Sequence, residues 1–149
     1  MSNGDAVPFE TTLEVRDGCL CLHLQRAARA VARRFDAAFR PLGLTSGQLS
    51  LLMSLNRPYP PPTIGSVAAL LAMDRTTLTA NLKPLERRGL VAVSVDDTDK
   101  RSRRLKLTPT GRALLASAVP IWRDTHAAID RLLPRTKPDA LRRDLRALS

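Results

Sequence analysis

A chain of 149 residues has room for one domain with a real core, or for two small subdomains that share one. Its 24 Lys and Arg against 14 Asp and Glu leave a formal charge of +10, a balance suited to phosphate or anionic lipid, with nucleic acid the leading partner. Only two cysteines occur, and on a helix Cys19 and Cys21 point roughly 200° apart, which excludes a disulfide scaffold and points to a reducing cytoplasm. No apolar run approaches the roughly 20 residues that span a bilayer, and residues 1–10 lack the basic start and apolar stretch of a signal peptide, so no membrane partner is expected. Five aromatic residues are too few for a base-stacking platform on single strands.

Residues 1–12 carry Gly and Pro without periodicity and read as a flexible arm. From about Val15 to Pro41, Leu20, Leu24, Ala27, Val31, Phe35, Ala38 and Leu42 recur at spacings of three and four, which predicts one long amphipathic helix. Gly43 caps its end. Thr45 with Gln48 three residues on forms a capping box that opens a second helix through Leu49, Leu52 and Leu55. The segment Pro58-Tyr59-Pro60-Pro61-Pro62 stops that helix as a rigid loop.

Thr63 caps a short helix over about Ile64 to Leu71, and Asp74 caps another that runs to about Arg88 before Gly89 closes it. Two short helices joined by a tight turn predict a helix-turn-helix. The β-branched run Val91-Ala92-Val93-Ser94-Val95, a charged tip, and Leu105 and Leu107 alternating with polar residues then predict a β-hairpin. Thr108 and Pro109 start a last long helix towards Leu133, with a kink expected at Pro120. A short helix over about Ala140 to Leu148 follows. The expected fold is mainly α: a winged helix-turn-helix over 45–108, with a helical dimerisation region built from 13–44 and 109–149.

Charge is uneven along this layout. Residues 74–108 hold nine Lys and Arg, whereas Arg57 is the single charge in 45–73. If Leu78, Leu82 and Leu85 face the core, Thr76, Ala80, Lys83 and Arg87 turn outward, flanked by Thr77 and Thr79. Such a small, polar, basic face suits a major groove, where Thr offers a hydroxyl to an acceptor or a methyl to thymine. Lys100, Arg101, Arg103 and Arg104 fall at the hairpin, placed for phosphate or for a narrow minor groove. Asp96, Asp97 and Asp99 interrupt them, turning the hairpin and pairing with some of the arginines. The expected contacts to double-stranded DNA are Arg75, Thr76, Thr77, Thr79, Ala80, Lys83, Lys100, Arg101 and Arg103.

Several fragments in order, Leu44-Thr45-Ser46-Gly47-Gln48, Thr63-Ile64-Gly65-Ser66-Val67-Ala68, Asp74-Arg75-Thr76-Thr77-Leu78-Thr79, Leu85-Glu86-Arg87-Arg88-Gly89-Leu90-Val91, Asp99-Lys100-Arg101-Ser102 and Leu107-Thr108-Pro109-Thr110-Gly111, resemble a MarR-family transcription regulator. The resemblance implies a winged-helix homodimer whose terminal helices intertwine, whose recognition helices and wings read a palindrome, and whose DNA affinity answers to a small ligand or an oxidant. Pro84 inside the recognition helix departs from the pattern and predicts a bend near its end.

Two effector readings follow. Cys21 resembles the sensing cysteine of organic-hydroperoxide regulators, although the tyrosines that hold the thiolate there have no counterpart beside it. Cys19, His23 and Arg26 at i, i+4 and i+7 form a polar face suited to the carboxylate of an aromatic acid. No cofactor or metal site is expected, because two cysteines and two histidines lack finger-like spacing. Nor is an enzyme expected, since the chain carries no Gly-rich phosphate loop, nucleophile elbow or paired His–carboxylate motif.

Overall fold

Side-chain caps decide where most helices begin. The computed structural model describes residues 6–149 and orders them as α1 (Phe9–Gly18), α2 (Leu20–Phe39), a 3-10 turn (Arg40–Leu42), α3 (Ser46–Ser54), α4 (Ile64–Leu70), α5 (Arg75–Arg87), β1 (Val91–Val95), β2 (Arg103–Leu107), α6 (Pro109–Asp130) and α7 (Pro138–Ala147). Thr45 Oγ1 accepts from the Gln48 amide at 3.2 Å while Gln48 Oε1 accepts from the Thr45 amide at 3.1 Å, so two otherwise orphaned donors are satisfied. Thr63, Asp74 and Thr108 accept in the same way from Ser66, Thr77 and Gly111. Gly43 and Gly89 end the α2 and α5 regions at φ of 64° and 69°.

The N-terminal reading needs correction. Instead of an arm to residue 12 and one long helix from Val15, a helix starts at Phe9 and the chain breaks at Cys19, whose ψ of 108° is extended. Gly18 stands immediately before that break, and the Cys19 amide closes α1 on the Val15 carbonyl at 2.9 Å. Gly is a weak helix former, and the apolar period that drives α2 begins only at Leu20. Residues 1–5 of the expected arm lie outside the described residues. At the other end α6 stops at Asp130 and α7 starts with Pro138 in its first turn, where the missing N–H has no helical partner to lose. Helical structure continues through Pro84 and Pro120.

The core is mainly α, with Phe39, Leu51, Leu52, Val67, Leu78, Leu85, Leu105 and Leu107 almost fully buried. Each such side chain contributes roughly 1.5–3 kcal/mol by leaving water. β1 and β2 pair antiparallel with Val91 opposite Leu107 and Val93 opposite Leu105, which turns one face of the hairpin onto the helices. The proline segment borders the hairpin, because the Pro62 carbonyl accepts from the Leu105 amide at 2.9 Å. Gly111 has a steric reason: a Cβ there would lie 2.1 Å from the Leu90 carbonyl oxygen, so only glycine lets α6 start against the strand. Asp36 of α2 accepts from the Ser46 amide at 2.7 Å, and Arg88 donates to the carbonyls of Leu42 and Gly43. The junction between α2 and α3 is thereby held to the end of α5.

Candidate nucleic-acid interface

Asp74 sets the start of α5. Its carboxylate accepts from the Thr77 amide at 2.7 Å and from the Thr77 hydroxyl at 3.0 Å, and these bonds, the amide first, hold it below the usual carboxylate range. Leu78, Leu82 and Leu85 then fall in the core, which leaves Arg75, Thr76, Thr77, Ala80 and Lys83 exposed and Thr79 half-buried. The expected outward face is present with one refinement. Thr77 already donates its hydroxyl hydrogen to the cap, whereas no such bond engages Thr76 among the described residues.

Four wing cations divide by their partners. Arg104 Nε donates to Asp96 Oδ1 at 3.1 Å and its Nη1 to the Pro61 carbonyl, so it straps the wing to the proline segment. Asp96 is 8% exposed, and the Arg104 bond is the main cause of its lowered pKa. Arg103 Nη1 donates to the Lys100 carbonyl at 3.0 Å, and Lys100 and Arg101 extend into solvent. Asp99 forms the turn by accepting from the Arg101 amide at 3.0 Å.

The tip and the recognition helix meet. Arg75, Arg101 and Arg103 line one pocket of about 200 Å³ together with Asp99, Ser102, Ile64 and Gly65. Three guanidinium groups against one carboxylate favour an anion of phosphate size and charge. Gly65 helps, since a Cβ there would stand 3.1 Å from Arg75 Nη2. The expected pairing of wing aspartates with arginines is present as Asp96 with Arg104; which pair forms, and that Arg104 also reaches the Pro61 carbonyl, could not be read from the sequence, because residues eight apart become close only once the hairpin register is known. Sequence reasoning missed Asn81, half-buried on α5 with its Nδ2 donating to the Thr77 carbonyl at 3.2 Å.

Of the expected effector trio, His23 and Arg26 share a pocket lining that does not include Cys19. The two line an open trough of about 510 Å³ with Ala27, Arg29, Ala30 and Arg33. Cys19 stands just before α2 as its N-cap, with an extended ψ of 108° rather than a helical one. Its carbonyl accepts from His23 Nδ1 at 2.7 Å. Cys21 is exposed, and Gln25 Nε2 donates to its Sγ at 3.3 Å. A separate apolar pocket of about 270 Å³ lies between α3 and α6, lined by Leu49, Met53, Val119, Trp122 and Arg123. Among the described residues no group of three or more His, Cys, Asp or Glu is placed to hold a metal, and no helix is long and apolar enough to cross a membrane.

Comparison with known proteins agrees with this geometry. Residues 44–111 match a family described as a winged helix DNA-binding domain. The M. tuberculosis transcriptional regulator MosR in complex with DNA is 38% identical, with a TM-score of 0.78 over 87% of this chain and 92% of MosR. CouR, a transcriptional repressor bound to a 23-mer DNA duplex, is 33% identical, with a TM-score of 0.78 over 91% of this chain and 94% of CouR. A MarR variant from E. coli in complex with operator DNA has the same fold at a TM-score of 0.78 and 23% identity, over 91% and 97% of the two chains. This chain belongs to the MarR family of transcription regulators. BadR of Rhodopseudomonas palustris, a transcriptional activatory protein, is 34% identical over 95 residues, which are 62% of this chain and 54% of BadR. The chain thus spans about half the length of that curated relative. As a MarR-family member it is a DNA-binding transcription regulator with a winged-helix fold.

Proposed function

We propose that the chain acts in the cytoplasm as a homodimeric repressor, binding a palindromic operator and releasing it when a small aromatic acid binds. The observation that carries the DNA reading is the convergence of Arg75, Arg101 and Arg103 beside the exposed Thr76, Ala80 and Lys83 face. Phosphate contacts at the wing and helix start fix register, and the small helix face reads base edges. Repression is the sign carried by CouR, and activation the sign carried by BadR. A reporter driven by the promoter beside this gene tests the choice: deletion should raise expression, and a fall would make the protein an activator.

Dimerisation is supported by apolar side chains that the single chain leaves open, namely Phe9, Leu20, Leu132, Leu145 and Leu148, each 38–68% exposed. They lie on or beside α1, α2, the end of α6 and α7, and neither α1 nor α7 buries a residue. Apolar area of this kind marks a protein interface. Two recognition helices would then address half-sites about one helical turn apart.

The effector reading rests on the pocket between α3 and α6. Trp122 and Met53 give a ring its walls, and Arg123 gives a carboxylate its partner. The volume suits a small ligand. Because α3 belongs to the DNA-binding unit and α6 to the helical scaffold, a ligand held between them can favour one arrangement of the two, as it must to alter affinity. Operator titrations with benzoate-like acids, and separately with an organic hydroperoxide, should show release by an acid that Arg123→Ala abolishes. Release by peroxide alone, lost in Cys21→Ser, would replace this reading with thiol-based sensing.

A further inference from the structure

A cleft of about 320 Å³ opens at the base of the wing, between three separate parts of the chain: the proline segment after α3, strand β2 and the start of α6. Arg57, Lys106 and Arg112 bring one cation from each part, and no carboxylate lines the cleft. Among the described residues none of these three forms an ion pair, whereas Arg16, Arg104 and Arg142 do. The cleft abuts the core at Leu55 and Leu107. Its wall is Tyr59, 86% exposed, beside half-buried Pro61. An aromatic ring left this open gains hydrophobic stabilisation only from something that covers it, and Tyr and Arg are the side chains enriched where proteins meet.

We propose that this cleft docks an acidic peptide segment of a partner protein, one that carries apolar side chains between its carboxylates. An apolar side chain packs against Tyr59 and Pro61 while the carboxylates pair with the three cations. A small ligand confined to the cleft would leave most of the Tyr59 ring in water, and a single ring makes no stacking platform for a nucleic-acid strand. A peptide spans both the ring and the charged rim. The position suits a partner of the assembled regulator. No lining residue is shared with the pocket of Arg75, Arg101 and Arg103 that faces DNA. From Arg112 the far end of α6, where exposed Leu132 follows, lies about 27 Å along the helix axis, so pairing of the terminal helices leaves the cleft open. The inference does not depend on the operator or effector readings, since neither of their pockets contributes a lining residue.

Fluorescence anisotropy of the full chain with a panel of labelled octapeptides, each of six Glu and two Leu, Phe or Trp at varied spacing, tests it. At least one should bind below millimolar concentration, and about tenfold more tightly than the same peptide with Ser at its two apolar positions. Tyr59→Ala should weaken it by about tenfold, and Lys106→Gln with Arg112→Gln by about fivefold or more. The paired control Arg135→Gln with Arg143→Gln removes the same charge from other exposed positions and should leave binding within about twofold. Circular dichroism and operator affinity are measured on every variant, so a failure of the DNA-binding reading is seen separately. No binding by any peptide of the panel, equal binding of the Ser peptide, or equal weakening in the control would overturn the proposal. So would tighter binding of labelled oligodeoxythymidylate, which would make the cleft a nucleic-acid site. Tighter binding of a peptide of residues 6–18, where Glu10, Glu14 and Asp17 stand among Phe9, Leu13 and Val15, would overturn it in favour of a second copy of this chain.

Discussion

The winged-helix region and the terminal helices hold nearly the same number of leucines, yet only the first is finished within one chain. Between Phe39 and Ala118 lie all the buried hydrophobic residues of the described chain, whereas α1 and α7 bury none. Arginines divide along other lines. Arg88 and Arg104 tie segments of the winged helix together, Arg142 ties α7 to Asp130 of α6 at 2.8 Å, and Arg75 and Arg101 stay open towards an anion. A self-sufficient core that presents cations, joined to amphipathic helices lacking a cover, is the division expected of a DNA reader that works in pairs.

The strongest test of that division compares equal truncations in its two halves. Leu78→Ala should cost about 2–5 kcal/mol because Leu78 is 0% exposed. Gly111→Ala should be at least as damaging, since the new Cβ meets the Leu90 carbonyl. Leu145→Ala, on the exposed side of α7, should cost a single chain less than about 1 kcal/mol. Chemical denaturation at a concentration where the protein is monomeric measures all three. Leu132→Glu with Leu145→Glu should instead separate the dimer while helicity is kept, which light scattering and circular dichroism resolve together. A wild-type chain that scatters as a monomer at micromolar concentration would remove the proposed pairing.

Within the DNA-binding half, Thr76→Ala should reduce discrimination between operator and random duplex by roughly 1–3 kcal/mol if a base contact is lost. Thr77→Ala combines a DNA effect with loss of a bond to the Asp74 cap, so its stability should fall as well. Unchanged operator binding in both variants would move the reading face elsewhere.

The strap between Asp96 and Arg104 gives a pH dependence with a defined sign. Asp96 has a folded pKa below its ordinary value, so its contribution is complete above the ordinary carboxylate range and is lost as pH falls through the lower folded value. Asp96→Asn should therefore remove part of the acid-side slope of thermal stability and change little near neutrality beyond the pair itself. A wild-type slope that persists in Asp96→Asn would assign the titration to another carboxylate.

The smallest effect concerns Ala72, which turns the chain between α4 and α5 at φ of 51°. Gly relieves that left-handed strain but adds freedom to the unfolded chain, so Ala72→Gly should shift stability by no more than about 1 kcal/mol, measured by its melting temperature.

Local rules carried most of the fold. The caps at Thr45, Thr63, Asp74 and Thr108, the stops at Gly43 and Gly89, and the inward Leu78, Leu82 and Leu85 each depend on neighbours within a few residues, so they were legible before any tertiary contact. Contacts between distant segments were not. Pairing of Arg104 with Asp96 and Pro61, the meeting of Arg75 with Arg101, and the pocket at Trp122 all need the packed structure. The break at Cys19 was missed for a different reason: a helical apolar pattern can be extended backwards through Gly18 without conflict, although the chain turns there.

The most direct test of DNA reading by the α5 and wing surface is operator affinity of wild type and Arg101→Ala across a range of salt concentrations. Counterion release predicts a linear fall of log affinity with log salt for wild type, and a slope smaller by about one phosphate contact for Arg101→Ala. Affinity that ignores salt, or a slope identical in the two proteins, would contradict the assignment of this surface to DNA.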